Sequence, residues 1–164
     1  MVDELFAPPG NEWRPVSGQL RRMRRTVLCV TLGLVLLGFA SVTWLFAVPS
    51  WLLGPAAVLL VGTGALGWVV IGRNVRAWGY AERDEDLYVT HGALFKELIA
   101  VPYGRMQYVD VTSGPVERWY GISTVHLHTA SPKTNARIPG LTPDEAGALR
   151  DRLTELGEAK AAGL

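Results

Sequence analysis

From position 26 to position 72 the chain holds no Asp, Glu, Lys, Arg or His, and apolar side chains fill these 47 residues almost without interruption. A soluble domain keeps polar side chains on its outer face, so a run this long predicts segments solvated by lipid. Residues 26–48 and 51–71 are 23 and 21 residues long. About 20 residues at a rise of about 1.5 Å cross a roughly 30 Å hydrocarbon core, so each stretch predicts one spanning helix. Pro49 and Ser50 lie between them. The proline ring removes an amide donor and clashes with the preceding turn, which predicts a tight helical hairpin. Trp44, Phe46 and Trp51 cluster at that turn, and Trp68 and Trp78 mark the other end, both suitable levels for rings at a lipid–water boundary. Pro55 falls near the start of the second span, where a missing donor costs least. Thr63, Gly64 and Gly67 give that span a small-residue face. The first span is its expected partner, and a second copy in a homo-oligomer is the alternative.

After Arg76 the pattern changes from continuous to alternating, as half-buried strands require. "VRAWGYAE" is a candidate first strand, and "DLYVTH" sets Leu87 and Val89 against Tyr88 and Thr90. "HG" at 91 and 92 turns the chain into "ALFKELIAVP"; "MQYVDVT" and "STVHLHT" alternate again, and "NARIP" is a short last strand. Strands this short between turn signals predict a small antiparallel sheet or barrel. The ending has a helical period. Thr142, Pro143 and Glu145 make a capping box, and Ala146, Leu149, Leu153 and Leu156 share one face, predicting a helix over 143–157 that closes one end of the barrel. The first 20 residues, rich in Pro and Gly, cannot build a core; Leu5, Phe6 and Trp13 are expected to dock on the membrane or on the domain. The organisation expected is a flexible cytoplasmic segment at 1–25, a transmembrane hairpin at 26–72, a folded domain at 73–157 and a disordered tail at 158–164.

Charge settles which kind of apolar segment this is. A secretory signal has an apolar region of roughly 7 to 15 residues and a small-x-small cleavage site, whereas this run is longer and meets a second span at once, so it reads as an anchor. Leu28 before Cys29 speaks against a lipoprotein signal, and the long apolar run against twin-arginine export. Arg21, Arg22, Arg24 and Arg25 precede the first span, Arg73 and Arg76 follow the second, and the turn between them has no cation. The positive-inside rule then puts both termini in the cytoplasm of a multi-pass plasma-membrane protein. These arginines are expected to set topology and touch lipid phosphates rather than form a specific site. Cys29 is the one cysteine, so no intrachain disulfide forms, and it reads as a small apolar filler. Residues 73–164 hold 11 Lys and Arg against 12 acids. With that balance, neither nucleic acid nor anionic lipid is expected as the main partner of the soluble part.

The segments "LYVTHGALFKELIAVPYGRMQYVDV", "RWYGISTVHLHTA" and "IPGLTPDEAGAL", in this order behind two arginine-flanked spans, resemble the bacterial pleckstrin-homology domains of the YdbS-like membrane proteins, across roughly residues 13–156. The resemblance implies a membrane α-helical hairpin carrying a mainly-β pleckstrin-homology-like barrel of about seven strands, capped by a C-terminal α-helix, with no established catalytic activity and no cofactor. Lipid-binding members of the wider fold use cations between their first two strands. Here that loop is Glu82-Arg83-Asp84-Glu85-Asp86, whose four acids would repel an inositol phosphate.

Among candidate sites, His126 and His128 share a strand face without a third metal ligand beside them, so a surface role is favoured over a metal. The acids at 82–86 lack the ligand spacing of a calcium loop. Asp110 with Glu97 or Glu117 would be a carboxylate pair, but no nucleophile with an adjacent base accompanies it. "GPVERWYG" at 114–121 sets Arg118, Trp119 and Tyr120 in a Gly- and Pro-bounded loop. Either these rings plug the open end of the barrel or, with Arg118, they anchor a partner. The function expected is a non-enzymatic, membrane-anchored module that presents its barrel to a membrane-protein partner; lipid or small-ligand binding between barrel and bilayer is the alternative.

Overall fold

The computed structural model describes residues 13–46, 49–131 and 134–161. Helix α1, Gly18–Phe46, and helix α2, Leu53–Arg76, form the expected hairpin, joined by a 3-10 turn at Ser50–Leu52. At about 1.5 Å per residue their 29 and 24 residues reach about 43 and 36 Å, more than a bilayer core requires. The apolar stretch of each helix is not buried within the protein, so neither is the core helix of a soluble domain. Hydroxyls within these stretches bond to the helix's own carbonyls, as suits lipid surroundings: Thr31 Oγ1 donates to the Val27 carbonyl at 2.8 Å, Ser41 Oγ to Leu37 at 2.8 Å and Thr63 Oγ1 to Leu59 at 2.7 Å. The small-residue face of α2 does receive α1. A Cβ on Gly64 would lie 3.0 Å from Leu32 Cδ1, and one on Gly67 3.1 Å from Leu28 Cδ2.

The strands lie in two antiparallel sheets rather than in one closed barrel, which corrects the expected architecture. One sheet has the order β1-β2-β3-β4, with β1 Arg14–Pro15, β2 Gly79–Glu82, β3 Asp86–His91 and β4 Glu97–Pro102. The other has the order β5-β6-β7, with β5 Met106–Thr112, β6 Ser123–Thr129 and β7 Ala136–Leu141. Between them Pro102 lacks an amide to donate, and a 3-10 turn at Tyr103–Arg105 redirects the chain, so the ladder breaks after β4. Leu87 and Val89 of β3 and Val125 and Leu127 of β6 are fully buried, so the predicted alternation does define the core face. Helix α4, Pro143–Ala161, lays Ala146, Leu149 and Leu153 on that core. Its start is the predicted capping box, with Glu145 N–H donating to Thr142 Oγ1 at 3.3 Å and Thr142 N–H to Glu145 Oε2 at 2.9 Å.

Four expectations are corrected at element boundaries. The segment ahead of the first span is ordered from Trp13 onward: β1 pairs with β2, Val16 and Leu20 join the core, and α1 begins at Gly18, because arginine propagates a helix well and the sheet offers it a dock. Leu5 and Phe6 lie outside the described residues. The first strand of the main sheet starts at Gly79, since Val75 and Arg76 continue α2 until Ala77 N–H closes on the Arg73 and Asn74 carbonyls. Trp78 is a core residue rather than an interfacial one, stacked on His91 with ring centres 4.9 Å apart. Finally, α4 passes through Gly157 to Ala161, so residues 158–161 of the expected tail are helical and residues 162–164 lie outside the described residues. Gly157 does not terminate the helix, and a Cβ there would sit at an ordinary contact distance, 3.6 Å, from the Tyr103 carbonyl oxygen.

Candidate interaction surface

The connection from β5 to β6 is not an open loop. Pro115–Trp119 forms the short helix α3. Gly114 enters it extended, Pro115 supplies a preset first helical residue, and Glu117 turns back to accept the Gly114 amide at 2.8 Å and the Thr124 hydroxyl at 2.9 Å. Beyond it, Ile122 N–H reaches the Glu117 carbonyl at 3.0 Å, and Ser113 Oγ donates to the Ile122 carbonyl at 3.0 Å. With Ile122 fully buried beneath, the turn is tied down at both ends.

On that support Arg118, Trp119 and Tyr120 separate by environment. Trp119 is 88% exposed, which removes the expectation that it plugs the domain. Tyr120 is half-buried and packs on the core, with its ring 6.4 Å from that of Trp119. Arg118 is exposed beside them. The physical reason is the turn of helix itself, which sends residues one apart to different sides, so Tyr120 takes the inward place and Trp119 the outward one.

The membrane-flanking arginines also divide. Arg24 Nη1 donates to Asn74 Oδ1 at 2.7 Å, and the Arg25 guanidinium lies 4.1 Å over the Trp68 ring, so two cations of α1 latch onto α2. Arg22, Arg73 and Arg76 are exposed and Arg21 is half-buried, completing a collar of positive charge at one end of the hairpin. Asn74, which sequence reasoning passed over, also accepts from Trp78 Nε1 at 3.4 Å and so joins helix end to domain.

The acidic turn is a structural ion cluster. Glu82 stands 3.0 Å from both Arg14 Nη1 and Arg152 Nη2, and Glu85 stands 3.5 Å from Lys160 Nζ. Hydrogen bonding to Glu82 raises the pKa of Arg152 above its ordinary value. Tyr103, fully buried nearby, is pushed up to about 12, first by burial and then by Glu82, with Asp86 and Asp84 adding. The Arg83 amide opposes this shift, but it is itself committed to the Asp86 carbonyl at 3.0 Å, and the Tyr103 hydroxyl has no partner in hydrogen-bond geometry.

The remaining candidates hold local contacts. His126 Nε2 is 3.0 Å from Thr112 Oγ1, and His128 stacks on Tyr108 with ring centres 4.2 Å apart. Glu97 faces His91 at 3.6 Å, Asp110 is exposed opposite His126, and Glu117 is spent on α3. Among the described residues, no three His, Cys, Asp or Glu side chains converge as metal ligands. The turn expected at 91 and 92 is present but longer, running to Lys96, so Leu94 and Phe95, expected in the following strand segment, stand in it at 82% and 88% exposed. The available signal was the adjacent pair itself, which breaks the alternation on either side.

No solved structure matches the chain. Over 149 residues, 90% of this chain and 92% of the relative, it is 27% identical to UPF0699 transmembrane protein YdbS of Bacillus subtilis (strain 168). Residues 25–157 match the family model described as the bacterial PH domain. Because that match takes in the helical hairpin and both sheets rather than the sheets alone, the chain belongs to the bacterial PH domain family.

Proposed function

We propose that this protein is a non-enzymatic, membrane-anchored PH module: α1 and α2 cross the plasma membrane, both termini lie in the cytoplasm, and the folded domain binds a membrane-protein partner through Arg118, Trp119 and Tyr120. The observation that carries the reading is the exposure of Trp119 on a turn that is otherwise fully tied down. A large ring held rigidly in water loses little further freedom on binding, which is the property of an interface anchor. The arginine collar supports the cytoplasmic placement. Confinement to one membrane raises the effective concentration of domain and partner, so a contact of modest area suffices.

The test is photo-crosslinking in native membranes from a reactive group at position 118, read with and without Trp119→Ala. The expected result is a recurrent protein adduct that Trp119→Ala abolishes and Trp44→Ala, at the far turn, preserves. Since Trp119 is exposed, its truncation should change stability by no more than about 0.5 kcal/mol, so lost crosslinking reads as lost binding. Copurified lipid without any protein adduct would instead favour ligand binding between domain and bilayer.

A further inference from the structure

Residues 92–96 join β3 to β4, and at their tip stand Leu94 and Phe95, both almost wholly exposed. The backbone holds them out. Gly92 has φ of +94°, in the left-handed region, and a Cβ there would collide with the Phe95 carbonyl oxygen, so the turn folds tightly on itself, with both side chains in the open. Single exposed apolar side chains are ordinary, while two large ones side by side at a hairpin tip form a contiguous apolar patch of the kind that marks contact with a partner or a membrane.

The register says where this tip lies. Helix α2 ends at Arg76, and two residues later Trp78 stacks on His91, the last residue of β3. Gly79 pairs with Thr90. The tip therefore leaves the sheet at the end where the chain emerges from the hairpin. At the other end of the same two strands, Glu82 pairs with Leu87, and the connecting turn is charged throughout, with Arg83, Asp84 and Glu85 all exposed. One hairpin thus carries an apolar tip at its membrane end and an ionic turn at its far end. The separations are short on both sides: Ala77 is four helical residues, about 6 Å, beyond Arg73, and past the Thr90 pair the ladder runs one more pair, His91 with Glu97, about 3 Å, before the turn that carries the tip.

We infer that Leu94 and Phe95 insert into the interfacial zone of the same bilayer that holds α1 and α2, giving the domain a third point of attachment and fixing its tilt. The inference rests on the proposed membrane crossing by α1 and α2. Continuity with that surface selects lipid as the occupant. The domain is already tethered there, so seating the tip costs only local ordering.

The test uses the full chain in nanodiscs of phosphatidylcholine and phosphatidylglycerol. Cys29 is replaced by Ala, single cysteines are placed by Phe95→Cys, Asp84→Cys or Val61→Cys, and each carries an environment-sensitive fluorophore. Quenching is read with nitroxide lipids labelled near the headgroup or deep in the acyl chain, and with aqueous iodide. Expected are blue-shifted emission at position 95, loss of most of it to headgroup-level nitroxide, and shielding from iodide, while position 84 responds only to iodide. A position 95 label open to iodide, beside a Val61 label quenched by deep nitroxide, overturns the insertion alone. A position 95 label shielded from iodide yet untouched by lipid nitroxide puts the tip against protein and overturns it too. A Val61 label that no lipid quenches overturns the membrane crossing and the insertion together.

Discussion

Tyr103 shows how a single buried atom links stability to pH. Its ring is fully buried and its hydroxyl has no hydrogen-bond partner, so the fold gains ring burial while bearing the desolvation of one polar group. Tyr103→Phe should therefore leave the protein as stable or about 1 kcal/mol more stable at neutral pH, because the oxygen it removes is unpaired. The pH effect follows from the direction of the shift. A phenol raised from 10 to about 12 favours the neutral form in the folded state. That contribution is fully present below pH 10 and is lost as pH rises through about 12, so wild type should weaken across that interval more than Tyr103→Phe does. Thermal melting of the detergent-solubilised chain at a series of pH values, taken as the difference between the two proteins, isolates this residue from the other groups titrating there. Parallel curves would mean that the hydroxyl is solvated after all.

At the scale of elements, the hairpin depends on how closely α2 lets α1 approach. Leu28 and Leu32 fit over Gly67 and Gly64 at distances that leave no space for a Cβ without movement. In lipid no hydrophobic gain drives two helices together, so this contact and the Arg24–Asn74 and Arg25–Trp68 latches hold the pair. Gly67→Leu should force the helices apart at a cost of about 1 to 3 kcal/mol by overpacking, while Gly62→Leu, where a Cβ meets open space, should be close to neutral. Unfolding in mixed micelles with rising denaturing detergent distinguishes them, and equal destabilisation would place the contact elsewhere. This face was legible from Thr63 and Gly67 standing four apart with Gly64 alongside, as were both spans, β3, β6 and the cap of α4, because each rests on a periodicity or a local backbone rule. The rest was decided by partners distant in sequence. The burial of Trp78 depends on His91, and the ordering of the segment before α1 on Tyr80 and Gly140. For the candidate surface, the turn containing Arg118 and Trp119 was legible by composition. Its rigidity was not, since it comes from Glu117 reaching Thr124.

At the scale of the whole molecule, the hairpin is an insertion within a folded domain rather than a stalk in front of one. Val16 and Leu20, before the first span, are buried with side chains that follow the second. Arg14 pairs with Tyr80, and Ser17 N–H donates to the Gly140 carbonyl at 3.0 Å. Gly140 is shaped for this, with φ of +78° and a Cβ position only 2.8 Å from Leu20 Cβ. Both ends of the hairpin therefore meet in one folded unit, which keeps them on one side of any membrane it crosses. The consequence can be tested without a membrane. The chain from Ala77 onward, made alone, lacks Val16 and Leu20, and burying two such side chains contributes about 1.5 to 3 kcal/mol each. Against a total domain stability of about 5 to 15 kcal/mol, that loss is large. A soluble protein in which residues 13–22 are joined by a Gly/Ser linker to Ala77, with the hairpin deleted, should recover it. Urea unfolding followed by tryptophan fluorescence should show a cooperative transition for the linked protein and a midpoint far lower, or no transition, for the fragment. Equal midpoints would mean that the segment before the first span only rests on the domain, and that the PH fold is complete without it.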